Sequence, residues 1–233
     1  MKIIVVFLTC CFGQFYSFSQ NTKDIYRVKN GTDISKAFAY RDRYQFDTFR
    51  EGTVYFRGGR VSKARLNYSL VHGEVQFIHA KDTLLLTEND FVDSIEIGDD
   101  VFYYVKGHGH LRKKAEFGGV KLAEKLFLVP AGSEKKSAYD QYTETSAISS
   151  YSSYTNSNGM RQVLDGSDRV ILKKRNIYFW MDKNRRFTLA TRGNLHKLFP
   201  QQKKLVNQYM QEENIDLEQE ADLVKVLEYA SSL

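Results

Sequence analysis

Cysteine, proline and long apolar stretches are scarce in this chain of 233 residues. With 2 Pro and 15 Gly, the sequence is neither collagen-like nor a proline-rich disordered chain. No apolar run reaches the roughly 18 residues that a membrane-spanning helix needs. Apolar residues make up 42% of the chain and charged residues 27%, which is an ordinary globular composition. We therefore expect a globular domain.

The first 19 residues predict a secretory signal peptide. Lys2 precedes an apolar stretch over residues 3–12, and Ser17 and Ser19 place small residues before a cleavage site at Gln20. The apolar stretch is too short to span a bilayer, although an uncleaved anchor is the alternative. We therefore expect an exported protein that is periplasmic or associated with the outer membrane.

Both cysteines, Cys10 and Cys11, lie inside this segment. Lipid attachment to either one is disfavoured, because Thr9 and Cys10 precede them where Gly or Ala usually stands. After cleavage, residues 20–233 would contain no disulfide and no thiolate site, so the core alone must supply the stability. We predict one β-rich domain over residues 20–233.

Charge is distributed unevenly along the chain, whose formal net charge is +6. Residues 211–233 hold a single cation, Lys225, and seven acids, which are Glu212, Glu213, Asp216, Glu218, Glu220, Asp222 and Glu228. A basic body with an acidic tail favours either anionic partners or docking of the tail onto the body.

The central segment, residues 53–129, has the pattern of half-buried strands. Apolar residues recur with a period of two, and β-branched and aromatic residues dominate. Turn-forming residues separate these strands at positions 58–59, 72–73, 89–90, 98–100 and 118–119. The strand pattern resumes at residues 170–172 and 177–181. The predicted fold class is mainly β with C-terminal helices (α+β), as a curled antiparallel meander sheet or a sandwich.

Residues 187–233 predict a C-terminal helical segment whose helix pair packs on the sheet. Pro200 suits the first turn of one helix, because its missing N–H costs nothing there. The apolar face of that helix comprises Leu205, Val206, Tyr209 and Met210. Asp216 is the predicted N-cap of the next helix, with Gln219 three residues later as in a capping box.

Residues 137–158 contain seven Ser, three Thr and four Tyr, with one aliphatic residue beyond alanine. Such a stretch buries little apolar area, so it predicts a long exposed loop or an edge-exposed hairpin. The tyrosines predicted to form a recognition surface are Tyr139, Tyr142, Tyr151 and Tyr154. A solvated loop without a binding role is the alternative.

Cations and aromatic residues alternate over residues 173–186. The cations predicted to contact a partner are Lys173, Lys174, Arg175, Arg185 and Arg186. This mixture suits an anionic glycan, a lipid head group or nucleic acid, and an exported protein rarely meets nucleic acid. The alternative is that these cations form the solvated end of a hairpin whose Trp180 anchors the core.

His108 and His110 form the sharpest candidate for metal chemistry. Two histidines at i and i+2 on a strand face the same side and can hold one metal ion, with His72 or His79 as a third ligand. No acidic or cysteine ligand lies close to them in sequence. We therefore predict no metal ligand and no cofactor, and keep a metal-dependent enzyme or metal-binding protein using this pair as the alternative function.

Linear signatures of hydrolases and nucleotide-binding proteins are missing. The sequence has no G-x-S-x-G, no H-E-x-x-H and no G-x-x-x-x-G-K-[ST]. The prediction leans away from an enzyme, towards a binding or accessory module of the cell envelope. Its expected partner is an envelope or outer-membrane protein or an anionic polymer such as a glycan, and not nucleic acid. Peripheral membrane association is a further alternative.

Several short motifs resemble a family of small uncharacterised secreted proteins of Gram-negative bacteria. They are G-T-V-Y-F-R-G-G-R with the following L-N-Y, F-Y-Y-V, G-H-G-H-L, K-L-F-L and the terminal segment 214–229. The resemblance covers about residues 48–129 and 187–230. It implies an envelope location and no catalytic residue. It also implies aromatic residues where this chain has G-H-G-H-L, which argues against a shared metal site.

Overall fold

The structure is a computed structural model that describes residues 25–29, 32, 37–86, 91–136, 142–145 and 169–233. In chain order, the strands are β1 (Ile25–Lys29), β2 (Arg50–Phe56), β3 (Val61–Ser69), β4 (Glu74–His79), β5 (Asp82–Leu85), β6 (Val92–Ile97), β7 (Asp100–Val105), β8 (Gly109–Phe117), β9 (Val120–Lys136), β10 (Tyr142–Thr145), β11 (Arg169–Met181) and β12 (Phe187–Leu189). The helices are α1 (Tyr40–Arg43), α2 (Arg192–Leu198), α3 (Lys203–Glu212) and α4 (Glu220–Ser232).

One antiparallel sheet contains all these strands. Its order is β1-β11-β9-β8-β7-β6-β2-β3-β4-β5, while β10 pairs with β9 and β12 with β11. Two meanders, β2 to β5 and β6 to β9, are joined where β2 pairs with β6. The prediction of a mainly β fold with C-terminal helices, built on an antiparallel meander, is confirmed.

The sheet curls because the turn between β3 and β4 inserts between β8 and β9. The ladder of β8 with β9 ends at Arg112. Beyond it, the Gly73 carbonyl accepts a hydrogen bond from the His110 N–H at 3.3 Å, and the Leu70 carbonyl accepts one from the Leu128 N–H at 3.0 Å. These bonds satisfy backbone groups on the diverging strands and bring the first meander onto the second.

Two glycines permit this close approach of backbones. Gly73 and Gly109 both have positive φ, 65° and 74° respectively. A Cβ on Gly109 would lie 2.8 Å from the Gly73 carbonyl oxygen, which is too close for a side chain. Glycine is therefore required where the inserted turn meets β8.

Apolar residues gather in separate clusters along the sheet. The curled meander encloses Phe46, Val54, Leu66, Tyr68, Leu70, Val75, Val92, Ile95, Ile97 and Phe102. The C-terminal helices cover Val120, Leu122 and Trp180 with Leu195, Val206, Met210, Leu223, Val226, Leu227 and Ala230. The predicted packing of C-terminal helices on the sheet is thus present, and it covers a face of β9 and β11.

The helix boundaries differ from those predicted. Pro200 lies after α2, whose C-cap is Phe199, and α3 begins three residues later at Lys203. Asp216 is not the N-cap of α4: that position is Gln219, while the Asp216 carboxylate accepts a hydrogen bond from the Glu218 N–H at 2.9 Å. A turn therefore uses the carboxylate before the helix starts, as Asp side chains commonly do.

Leu205 is an exception to the predicted apolar face of α3. It is 46% exposed, whereas Val206 and Met210 are buried against the sheet. None of the helices within the described residues is long and apolar enough to cross a membrane.

Candidate ligand-binding pocket

The cations predicted from residues 173–186 lie on two separate surfaces. Residues 173–175 are in the middle of β11, opposite Val129, Leu128 and Phe127 of β9. Arg185 and Arg186 lie in the turn between β11 and β12. Lys174 lies seven residue steps before Met181, the last residue of β11, which corresponds to about 23 Å along the strand. Of these predicted cations, only Arg185 in the turn lines a pocket within the described residues.

That pocket has a volume of about 550 Å³ and lies between the β11–β12 turn and the start of β6 and end of β7. Its lining is Arg57, Val92, Asp93, Tyr103, Tyr104, Val105, Lys106, Asn184, Arg185 and Phe187. We call it the basic pocket. The volume falls within the usual range for sites that bind small ligands.

A β-bulge positions Asp93 on the wall of the basic pocket. Tyr55 pairs with Ser94 but Phe56 pairs with Val92, so Asp93 is the extra residue on β6. Bulges of this kind change the direction of a side chain. The Asp93 carboxylate accepts a hydrogen bond from Arg185 and forms an ion pair with it across the pocket.

Arg185 has the left-handed backbone conformation, with φ 61°. The Asp182 carboxylate stabilises this turn by accepting hydrogen bonds from the N–H groups of Asn184 and Arg186, each at 2.8 Å. A non-glycine residue with this φ is uncommon, and such strained residues cluster at functional sites. The turn thus holds the Arg185 guanidinium at the pocket at some conformational cost.

The basic pocket combines positive charge with aromatic walls. Arg57, Lys106 and Arg185 contribute three cations against the single acid Asp93. The rings of Tyr103 and Phe187 lie 6.1 Å apart with an interplanar angle of 49°.

Burial makes the Tyr103 phenol harder to ionise. Desolvation, with a further contribution from Glu116, raises the pKa of Tyr103, and the nearby Arg185 only partly opposes this. A neutral phenol can donate a hydrogen bond to an anionic ligand. The pocket therefore suits a small anionic group with an apolar or ring-shaped body.

The two histidines of the metal hypothesis do not face the same side. His108 lies in the turn before β8, where its exposed ring contacts Phe179 at 4.9 Å. His110 is fully buried on β8, against Tyr104 at 5.5 Å, and its Nδ1 accepts a hydrogen bond from the Val75 N–H. The alternation expected of a strand fails because β8 begins only at Gly109.

Within the described residues, no group of three or more His, Cys, Asp or Glu side chains could hold a metal ion. An S-x-x-K sequence occurs at Ser133–Lys136, inside β9. A strand does not place residues three apart side by side, as a helix does.

A buried polar cluster surrounds the inserted turn. Glu74 and Lys125 are 6% and 5% exposed, and Lys125 donates a hydrogen bond to the His108 carbonyl. Burial raises the pKa of Glu74 to about 7, although Lys125 opposes the rise. Burial, and then the charge of Lys125, lowers the pKa of His110 to about 3. This cluster is closed to solvent, so it suits a structural role.

The predicted tyrosine surface falls largely outside the described residues. Tyr139, Tyr151 and Tyr154 lie there, while Tyr142 begins β10, which pairs with Ser133–Lys136 of β9. That pairing fits the hairpin alternative for the start of residues 137–158. The recognition role of these tyrosines stays a prediction.

Sequence analysis alone missed most of the pocket. Only Arg185 was among the predicted binding residues, while Asp93, Tyr103 and Phe187 come from three different strands. Tyr103 belongs to the F-Y-Y-V motif, residues 102–105, which carried only the family resemblance and no prediction of a pocket. Nothing in the linear sequence indicates that it meets the β11–β12 turn.

No family model, curated protein or solved structure matches this chain. The resemblance to small secreted proteins of Gram-negative bacteria therefore stays a prediction. Functional inference has to start from the pocket itself.

Proposed function

We propose that this protein is an exported, non-enzymatic module of the cell envelope that binds an acidic glycan through the basic pocket. The observation that carries the proposal is Arg185, held in a left-handed turn beside a 550 Å³ pocket with three cations and one acid. Arginine binds carboxylate and sulfate groups in a bidentate manner, which gives both affinity and orientation.

The aromatic walls favour a sugar as the body of the ligand. The paired rings of Tyr103 and Phe187 can pack against the apolar face of a sugar, and the Tyr103 phenol can hydrogen-bond its hydroxyls. A concave pocket of this size accepts one or two sugar units rather than a protein surface. Of the two predicted partner classes, the pocket therefore supports the anionic polymer.

The ion pair between Arg185 and Asp93 is part of the expected specificity. Their side chains are 53% and 30% exposed, so the pair is partly solvated and contributes little to stability. A ligand carboxylate can therefore share Arg185 with Asp93 at low cost. A cationic or neutral sugar would gain no comparable contact.

Calorimetric titration of polygalacturonate oligomers into residues 20–233 tests the proposal, with neutral dextran oligomers as comparison. We expect binding of the acidic oligomers alone, weakened about 10-fold between about 0.05 M and about 0.5 M salt because exposed charges are screened. Equal binding of dextran would contradict the proposal, as would no binding of either.

Two neighbouring arginines provide a matched pair of variants. Arg185→Gln removes a pocket cation and should reduce affinity at least about 10-fold. Arg186→Gln makes the same change in the same turn, at a residue that does not line the pocket, and should leave affinity unchanged. Equal losses in both variants would indicate a general charge effect instead of a site.

A combined replacement of Tyr139, Tyr142, Tyr151 and Tyr154 by Ser separates the two predicted surfaces. We expect it to leave binding at the basic pocket unchanged. Loss of glycan binding in this variant with retention in Arg185→Gln would move the site to residues 137–158.

Export is tested separately in the native host. Mass analysis of the N-terminus should find a chain that begins at or near Gln20 in the envelope fraction. An intact Met1 in the cytoplasmic fraction would contradict the export part of the proposal.

A further inference from the structure

A second pocket, of about 350 Å³, lies where strands β2 to β5 enclose the first core cluster. Its lining is Val54, Phe56, Ser62, Lys63, Ala64, Leu66, Phe77, Ile78, His79 and Leu86. We call it the apolar pocket. It shares no lining residue with the basic pocket.

The apolar pocket borders the first core cluster within the described part of the chain. Leu66 and Val54 lie at its base and are 0% and 3% exposed. The walls are Phe56, Ala64, Phe77 and Leu86, which pack on the core but stay partly exposed. An aliphatic ligand would remove this apolar surface from water, which favours binding more with each methylene that is buried.

Charge at the pocket mouth is positive on the β2–β3 side. The Arg60 guanidinium lies 4.0 Å from the centre of the Phe56 ring, and Lys63 also lines the pocket. On the opposite side, His79 pairs with Asp82 across β4 and β5. An anionic head group is therefore favoured beside Arg60 and disfavoured beside Asp82.

We propose that the apolar pocket binds a single aliphatic chain with a carboxylate head group, such as a free medium-chain fatty acid. The chain lies over Leu66 between Phe56 and Phe77, and the carboxylate meets Arg60. An apolar cavity of about 150 Å³ holds one benzene molecule, so the present volume accommodates one chain of moderate length. The occupant is a soluble fatty acid and not a bilayer lipid, because a second chain would remain in water.

Decanoate is the probe, titrated calorimetrically into residues 20–233. The filling variant is Ser62→Trp, because Ser62 lines the mouth and is exposed, so the variant should still fold. The matched control is Val61→Trp on the same strand, at a residue that is 52% exposed and does not line the pocket. We expect Ser62→Trp to weaken decanoate binding at least about 10-fold and Val61→Trp to leave it unchanged.

A second filling variant, Leu86→Trp, approaches the pocket from the other wall and should give the same loss. Far-ultraviolet circular dichroism of each variant verifies the fold. If both folded filling variants bind decanoate like the original chain, the proposal is wrong.

The head group is tested with decyltrimethylammonium, which has the same chain and the opposite charge. We expect decanoate to bind about 10-fold more tightly, and Arg60→Gln to remove this preference. Equal affinity of the two amphiphiles would overturn the carboxylate assignment.

Two further outcomes would overturn the proposal: no decanoate binding, or binding of the protein to anionic lipid vesicles without binding of decanoate. Arg185→Gln should leave decanoate affinity unchanged, so that failure at the basic pocket and failure at the apolar pocket are distinguishable.

Discussion

Trp180 and Phe102 are both fully buried aromatic residues of one sheet, but different structures exclude water from them. The C-terminal helices cover Trp180, in a cluster of aliphatic side chains. Phe102 stacks on Tyr68 at 5.3 Å inside the curled meander. Asn67 and Glu74 are buried in this half, and the ion pair of Arg112 with Glu124 borders it, so the interior contains polar groups. A helical cover allows a dry core, whereas a sheet curled onto itself also encloses polar groups from its own strands.

The largest loss of stability is expected where the C-terminal helices cover the sheet. Trp180→Ala should lower the free energy of unfolding by about 3–5 kcal/mol, because a large cavity forms beneath the helices. Leu205→Ala, in the same helical cover but at a residue 46% exposed, should cost less than about 1 kcal/mol. Urea denaturation followed by circular dichroism measures both. Similar values for the two variants would contradict the assigned packing.

The next largest loss of stability is expected from breaking the ion pair between Arg112 and Glu124. Arg112 donates a hydrogen bond to Glu124 at 2.8 Å, and the Glu124 side chain is 4% exposed. Burial would lower the pKa of Arg112, but Glu124, with further contributions from Asp100 and Glu220, outweighs burial and raises it. Glu124→Ala should therefore cost about 1–2 kcal/mol, because it leaves a partly buried cation with the more distant Asp100, at 3.6 Å, as a remaining partner. The double variant Glu124→Met with Arg112→Met should regain most of this loss, and an additive loss would contradict the pairing.

The pH dependence of the free energy of unfolding tests the buried polar cluster around the inserted turn. His110 has a folded pKa of about 3, below the ordinary value of 6.5, so between these values only the unfolded chain binds the proton. The contribution of neutral His110 to the free energy of unfolding is fully present above pH 6.5. As the pH falls from 6.5 towards 3, this free energy decreases by about 1.4 kcal/mol per pH unit. His110→Asn should flatten this acid decline, while His79→Asn, at an exposed residue, should not. Denaturation curves at several pH values measure the slopes.

Glu74 should act in the opposite direction. Its pKa is raised from 4.5 to about 7, so its contribution is present below pH 4.5 and is lost as the pH rises through 7. Glu74→Gln should therefore stabilise the protein at pH 8 relative to pH 5. A loss of stability at pH 8 in this variant would show that the carboxylate is ionised without penalty.

The smallest effect on stability is expected at the basic pocket. Arg185→Asn relieves less than about 1 kcal/mol of left-handed strain and removes a partly exposed ion pair whose contribution to stability is similarly small. Stability should therefore change by less than about 0.5 kcal/mol, while acidic glycan affinity falls about 10-fold. Thermal melts together with titrations measure the two quantities. A large stability loss would identify Arg185 as a structural residue instead.

Local patterns predicted the strands well, because a half-buried strand imposes a period of two on its own residues. The turns between strands were predictable in the same way: Gly118 and Gly119, which were predicted to separate two strands, both have positive φ. The bulge at Asp93 and the insertion of Gly73 between β8 and β9 were not predictable, because each depends on a strand distant in sequence. The expectation that His108 and His110 face the same side was wrong because His108 belongs to a turn and His110 to a strand.

The pairing of β1 with β11 has a consequence for the order of folding. Ile25 pairs with Lys173, and Tyr26 and Val28 are buried against Val170 and Leu172. The first strand therefore cannot pair until residues 169–173 have been made. Until then the backbone groups of β1 have no partner from β11 and can pair with another molecule. Refolding yield should consequently fall as protein concentration rises, and a holding factor that occupies β1 would raise it.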